Sequence, residues 1–167
     1  MRTPRLRRDA DAVIDVPMRL LLAVVLVAMA AAIVLPALGS YQRSEVEHRI
    51  QVAVAGIDAA ARSVYRHPGS SRTVVVDVPP AGRFHLERLV IGGDPAVDPV
   101  GSAVICWSYS GGTTSRHVVS GDTAPIPLAG PDGRALTVDG PRALLVLEAK
   151  VRTEGSHTIR YVEVREA

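Results

Sequence analysis

The chain has 167 residues, a formal net charge of +2 and 22% charged residues. Beyond the N-terminal head its basic residues are scattered and form no stripe, so the sequence does not predict nucleic-acid binding. The single cysteine excludes an internal disulfide, and the length beyond the first apolar segment suits one globular domain.

The N-terminal segment combines a basic head with a long apolar run. Residues 20–38 carry no charge, and as a helix they would span about 28 Å, close to the roughly 30 Å hydrocarbon core of a bilayer. We expect a basic cytoplasmic leader over residues 1–16 and a transmembrane helix over residues 17–40. By the positive-inside tendency the head arginines keep the N-terminus in the cytoplasm and place the C-terminal domain outside. They are Arg2, Arg5, Arg7 and Arg8.

The apolar run continues into an amphipathic helical pattern over residues 41–67. Its apolar residues recur at steps of three or four, which predicts one buried face. They are Val46, Ile50, Val54, Ile57, Ala61 and Val64. The two segments predict a single helix from about Pro17 to about Arg66, with a kink or local melting at Pro36 and Gly39.

Residues 70–167 predict an extracytoplasmic β-rich domain, because short β-branched runs alternate with Gly, Pro and Asp turns. The fold class is therefore α+β: a long N-terminal helix followed by an antiparallel sheet or sandwich. The last two runs, residues 143–152 and 157–165, should form a hairpin. The apolar phase of the second changes after Tyr161, which predicts a bulge there or burial on both faces. The other expected strands are residues 73–78, 84–91, 103–109, 115–119 and 135–138.

The sequence contains no arrangement of residues typical of an active site. Its five histidines are scattered without ligand spacing, and the nucleophile and phosphate-loop motifs are absent. Asp94 and Asp98, with Asp132 and Asp139, could supply oxygens to Ca²⁺, but Asp beside Gly or Pro is also what turns use. Cys106 should be a buried, inert thiol in a strand. We expect no enzyme, no cofactor and no metal site.

Residues 30–43, AAAIVLPALGSYQR, resemble the N-terminal helix of type IV pilins, in which an apolar helix carries a proline near its outer end. With the arginine-rich head and the β-rich end, the chain looks most like an archaeal type IV pilin or archaellin-related protein with a class III signal peptide. The resemblance implies cleavage by a prepilin-type peptidase near Ala10 or Ala12, before Asp11 or Val13. It also implies filament packing through the apolar helix, at Ala28, Ala31, Ala32 and Pro36.

Two functions follow as hypotheses. The first is a pilin-like subunit of a surface filament or of a secretion or adhesion assembly, whose partners are membrane lipid and other pilin-like subunits. The second is a single-pass, membrane-anchored binding module of unknown ligand. A membrane anchor requires only a span of sufficient length and apolarity, whereas helix packing also requires a particular shape. Replacing the span by another apolar sequence therefore distinguishes the two hypotheses.

Overall fold

The computed structural model describes residues 6–112, 114–154 and 157–167, and the side chains of residues 17–112, 114–153 and 158–167. The chain divides into two compact units, one ending at Tyr41 and the other running from Gln42 to Ala167.

One helix, α1, runs over Leu6–Arg66 and contributes residues to both units. It ends where the apolar spacing predicts, but it begins at Leu6, earlier than the expected start near Pro17. The expected local melting is wrong, because the chain is helical at both Pro36 and Gly39. Pro36 provides no N–H for the carbonyl of the preceding turn. The hydroxyl of Ser40 donates to the Pro36 carbonyl at 2.9 Å.

The part of α1 inside the second unit buries the predicted stripe. All six residues of that stripe are at most 3% exposed, from Val46 to Val64. Helix residues between them, such as Gln51 and Val52, face outward. The amphipathic prediction for this stretch is therefore confirmed.

In the part of the chain that the structure describes, eight strands follow the helix and form two four-stranded sheets, ordered β1-β7-β8-β5 and β4-β3-β2-β6. The strands are β1 Ser71–Asp77, β2 Leu86–Ile91, β3 Val104–Tyr109, β4 Ser115–Val118, β5 Leu128–Ala129, β6 Leu136–Val138, β7 Arg142–Glu154 and β8 His157–Glu166. All pairs are antiparallel except β5 with β8. The predicted α+β class is confirmed.

In the first sheet, β7 and β8 form the predicted hairpin. Their register runs unbroken from Leu145 opposite Glu166 to Glu154 opposite His157, so a bulge near Tyr161 is wrong. The alternative prediction, that β8 is buried on both faces, is wrong as well. Val162 and Val164 are buried, whereas Tyr161 and the residues on the same side of the strand are half-exposed. The hairpin is longer than predicted, and its turn at residues 155 and 156 lies outside the described residues.

The second sheet carries the bulge instead. The register between β2 and β3 shifts between Leu86 and Arg88, so that Glu87 is the extra residue. The inner face of β3 is formed by Ile105, Trp107 and Tyr109, each no more than 7% exposed.

Both sheets and the helix stripe contribute to one hydrophobic core. From the first sheet it takes residues such as Val76, Leu145 and Val164, and from the second Leu89 and Ile105. The helix therefore belongs to the fold of the β-domain, because its buried stripe is part of the same core as the sheets.

Candidate functional site

The most distinctive feature of the first unit is an uncovered apolar surface around α1. Every large apolar side chain between residues 18 and 38 is 47 to 73% exposed. The helix is long and apolar enough to cross a membrane, with a mean hydropathy of 2.9 over its most apolar window. Burying one such side chain is worth about 1.5 to 3 kcal/mol. A dozen of them therefore call for an apolar environment, which lipid or other apolar helices can supply.

The predicted helix-packing residues lie along one side of this helix. Ala28, Ala31 and Ala32 are three and four positions apart, and Pro36 follows Ala32 by four. Ala28, Ala32 and Pro36 are exposed, and Ala31 is half-buried. Small side chains allow two helix backbones to approach closely within a membrane, so this side is suited to helix packing.

The predicted cleavage residues lie near the beginning of α1. Ala10, Asp11, Ala12 and Val13 have helical backbone, and their side chains lie outside the described part of the chain. The structure places them N-terminal to the apolar surface.

In the second unit, a charged cluster connects the helix to strand β4. Asp58 is 8% exposed, and its carboxylate accepts two hydrogen bonds from the Arg62 guanidinium, both at 2.8 Å. His117 Nε2 lies 3.1 Å from the same carboxylate, which can only accept, so this nitrogen is the donor. The hydrogen bond to Asp58 raises the pKa of Arg62. This Asp58 cluster stabilises the contact between α1 and the second sheet.

The sequence, in which the five histidines are scattered, does not predict this cluster. The only local signal was the spacing of Asp58 and Arg62, four positions apart on a helix. The contribution of His117 depends on tertiary packing, because it is 59 positions away.

A second contact holds the N-terminal end of the helix within this unit. Arg43 Nε donates to the Tyr109 hydroxyl at 3.0 Å, and this bond raises the pKa of Arg43. Nearby, Gly82 has a φ of +60° and packs directly against the Gln42 side chain, where a Cβ would lie 2.3 Å from Oε1. A larger residue at Gly82 would therefore displace Gln42.

An arginine-lined pocket of about 260 Å³ lies at the C-terminal end of the helix. Arg160 donates to the Tyr65 carbonyl and stacks over the Tyr65 ring, with its guanidinium carbon 4.6 Å from the ring centre. Arg66 pairs with Asp122 on the opposite wall, and Arg62 completes the lining. The three guanidinium groups satisfy helix and loop groups and leave a polar, basic cavity.

A larger, apolar groove of about 560 Å³ lies between the helix and strand β1. Its helix wall includes the small residues Ala53 and Gly56 and the exposed Val52, and its strand wall includes Val74 and Val75. His48, Arg49 and Asp77 complete the lining.

The other polar candidates have structural partners. One carboxylate oxygen of Asp98 accepts from the backbone N–H groups of Val100 and Gly101, and Asp94 accepts from Ala96. Ser110 Oγ connects the Arg83 carbonyl to the His85 N–H. Within the described residues, no three acidic, histidine or cysteine side chains are placed to hold a metal ion.

Cys106 differs from expectation. It lies in β3 as predicted, but it is half-buried rather than buried, because it belongs to the outward-facing phase between Ile105 and Trp107. Its cross-strand neighbours are Val90 and Arg116. The thiol therefore lies at the outer surface of the second sheet.

Residues 17–164 match one protein family, which is described as a domain of unknown function (DUF7311). Because this match covers most of the chain, from the apolar helix to the last strand, the chain belongs to that family. No curated protein and no solved structure matches the chain.

Proposed function

We propose that this DUF7311 member is a pilin-like structural subunit of an archaeal type IV pilus-like surface filament or related secretion or adhesion assembly. The observation that carries the proposal is the division of one helix into two environments. Over residues 20–38 its side chains are apolar and, apart from the half-buried Ala31, exposed, whereas a single stripe is buried in the β-domain from Val46 to Val64. Helix packing among neighbouring subunits would cover the first part without disturbing the second.

The face of small residues supports packing of helices on one another. Ala28, Ala31 and Ala32 would let a neighbouring helix approach closely, which an anchor surrounded only by lipid does not require. The resemblance of residues 30–43 to pilin helices points in the same direction. In this proposal a prepilin-type peptidase removes the basic leader between Ala10 and Val13, and the freed helix enters the filament.

The proposed orientation places the arginine-rich head in the cytoplasm and the β-domain outside. The positive-inside tendency supports it, because four arginines precede the apolar segment within a short stretch. The protein would then be a single-pass membrane protein before assembly and a surface component afterwards.

A second candidate is a membrane-anchored binding module, and the arginine-lined pocket favours it. This cavity is concave and polar, and it is lined by Arg62, Arg66 and Arg160, with Asp122 as the opposing charge. Such a lining suits a small anionic group on an envelope component. In this alternative, residues 20–38 act as an anchor alone.

The experiment that separates the two candidates changes the shape of the span while keeping it apolar. The variant A28L/A31L/A32L fills the face of small residues, and A23L/A30L/A37L makes the same three changes on the opposite side of the same span. Both variants should still insert in the membrane. Assembly is measured as the fraction of the chain released in filaments by shearing intact cells.

We expect A28L/A31L/A32L to lose the sheared fraction and A23L/A30L/A37L to keep it, because only the former blocks close helix approach at the predicted packing face. Equal recovery of both variants and of the unmodified chain would contradict packing through this face. If the unmodified chain were absent from the sheared fraction, the anchored binding module would replace the filament subunit.

A further inference from the structure

Strand β1 is the only edge strand of the described sheets that is both long and regular. It pairs with β7 alone through seven consecutive residues, whereas the other three edge strands have two, three and four residues. Proteins protect exposed edges with charged side chains, proline, bulges or shortness. Ser71–Asp77 contains no proline, its register has no shift, and its charged residues, Arg72 and Asp77, lie near its two ends and leave Thr73 to Val76 uncharged. This edge is therefore open to pairing with another strand.

The phase of the ladder identifies which backbone groups face outward. Val78 N–H donates to the Pro141 carbonyl at 2.7 Å, on the register that places Val76 opposite Ala143. Hydrogen-bonded pairs alternate in an antiparallel ladder, so Val76, Val74 and Arg72 bond to β7. The hydrogen bonds between β7 and β8 give the same assignment. Ala167 N–H donates to the Leu144 carbonyl at 2.9 Å, so the backbone groups of Leu144 face β8 and those of its neighbours in β7 face β1. The groups of Ser71, Thr73, Val75 and Asp77 therefore point to the open edge.

The surroundings leave this edge accessible. The helix approaches β1 at Val74, where a Cβ added at Gly56 would lie 3.6 Å from Val74 Cγ1, and the apolar groove of about 560 Å³ lies beside that contact. On the outer face, Val75 is 54% exposed and lies opposite Leu144, which is 42% exposed. An added strand would cover these apolar side chains and satisfy the outward backbone groups together.

We propose that β1 pairs with β1 of a second copy of this chain, antiparallel and with Val75 opposite Val75, joining two four-stranded sheets into one of eight strands. In this register Thr73 lies opposite Asp77 of the second copy, and the two-fold axis repeats the contact. Thr73, Val75 and Asp77 are exposed and belong to the phase whose backbone groups point to the open edge.

Side-chain complementarity selects this register among its neighbours. The threonine hydroxyl can donate to the aspartate carboxylate, and the two valines cover each other. If one strand slides by two residues relative to the other, Thr73 lies opposite Val75 in one direction, and Val75 lies opposite Asp77 in the other. Either shift places polar side chains opposite apolar ones. The second copy is therefore the occupant that the edge fits.

The test is site-specific disulfide formation in the full-length chain, reconstituted in membranes in a C106A background that removes the native thiol. Opposed residues of a hydrogen-bonded pair have Cα atoms about 5.5 Å apart, within the range of a disulfide. We expect V75C to form a covalent dimer on oxidation, and T73C mixed with D77C to form a mixed dimer. The control V97C carries the same change at a valine that is 82% exposed outside any strand, and it should remain monomeric.

A second variant tests the non-covalent contact. V75K places two ammonium groups opposite each other at the two-fold axis and should abolish the dimer, whereas V97K should leave it intact. Dimerisation is read as the doubled mass in detergent, and its disruption as the loss of that mass. The V75C cross-link is also measured in the A28L/A31L/A32L background. It should persist there, because β1 pairing does not use the face of small residues on the apolar helix.

Cross-linking of V75C no greater than that of V97C would overturn the proposal. So would a V75C thiol captured in native membranes by a different polypeptide and not by a second copy, since the edge would then serve another partner.

Discussion

Asp58 shows how a charge is accommodated on a face that the helical pattern assigns to the core. It lies between the buried residues Ile57 and Ala61, and its carboxylate receives donors from Arg62 and His117. Burial of an ionised group is tolerated when its lone pairs are satisfied. The cluster therefore lets the helix stay close to β4 with a charge at the contact.

Removing that charge should weaken the fold measurably. In D58N one carboxylate oxygen becomes an amide that donates, so it faces the donors of Arg62 and His117 without accepting from them. We expect a loss of about 1 to 3 kcal/mol in the free energy of unfolding. Trp107, the single tryptophan and a core residue, reports unfolding by denaturant in detergent through its fluorescence.

The matched control for this prediction is E45Q. It removes the partner of Arg49 in an ion pair of the same helical spacing, but the Glu45 side chain is 33% exposed whereas that of Asp58 is 12% exposed. Exposed pairs contribute about 0 to 1 kcal/mol, so E45Q should remain near the unmodified chain. Equal effects of D58N and E45Q would show that burial of the Asp58 cluster adds nothing to stability.

At the scale of secondary-structure elements, the sequence predicts what local periodicity determines. The helix stripe from Val46 to Val64 and seven of the strands follow from spacing and turn residues, because each reflects which side of one element is buried. The ends of the elements are less well predicted. Helical backbone continues through Pro36 and Gly39, and the last hairpin extends beyond its predicted ends.

Elements that depend on distant contacts were missed. Strand β5 has two residues and exists only through parallel pairing with β8, more than thirty positions along the chain. Its position also requires Gly92, whose φ is +73° and whose added Cβ would lie 2.1 Å from the Leu128 carbonyl oxygen. The bulge at Glu87 and the bond from Arg43 to Tyr109 likewise result from packing and carry no local pattern.

For the whole molecule, the proposed topology makes Cys106 a native reporter. It is the only cysteine, and it is half-buried on the outward-facing phase of β3. If the β-domain is outside, a membrane-impermeant maleimide should label the thiol in intact cells, as it does after lysis.

Two controls define the labelling result. C106S should show no labelling in either preparation, which assigns the signal to this residue. Labelling of the unmodified chain only after lysis would place the β-domain in the cytoplasm and contradict the proposed orientation.

The proposed function requires that the chain leave the membrane and enter a filament after its basic head has been removed. The features that support it act together: an apolar helix exposed on all sides, a face of small residues on it, and a buried stripe further along that carries the β-domain. An anchored binding module needs only the length and apolarity of the first of these.

The most direct measurement is therefore the intact mass and N-terminal sequence of the native protein recovered from sheared surface filaments and, separately, from membranes. The proposal predicts that the filament fraction contains the chain with a new N-terminus between Ala10 and Pro17. Recovery from membranes alone, with the N-terminus still at Met1 or Arg2, would contradict it.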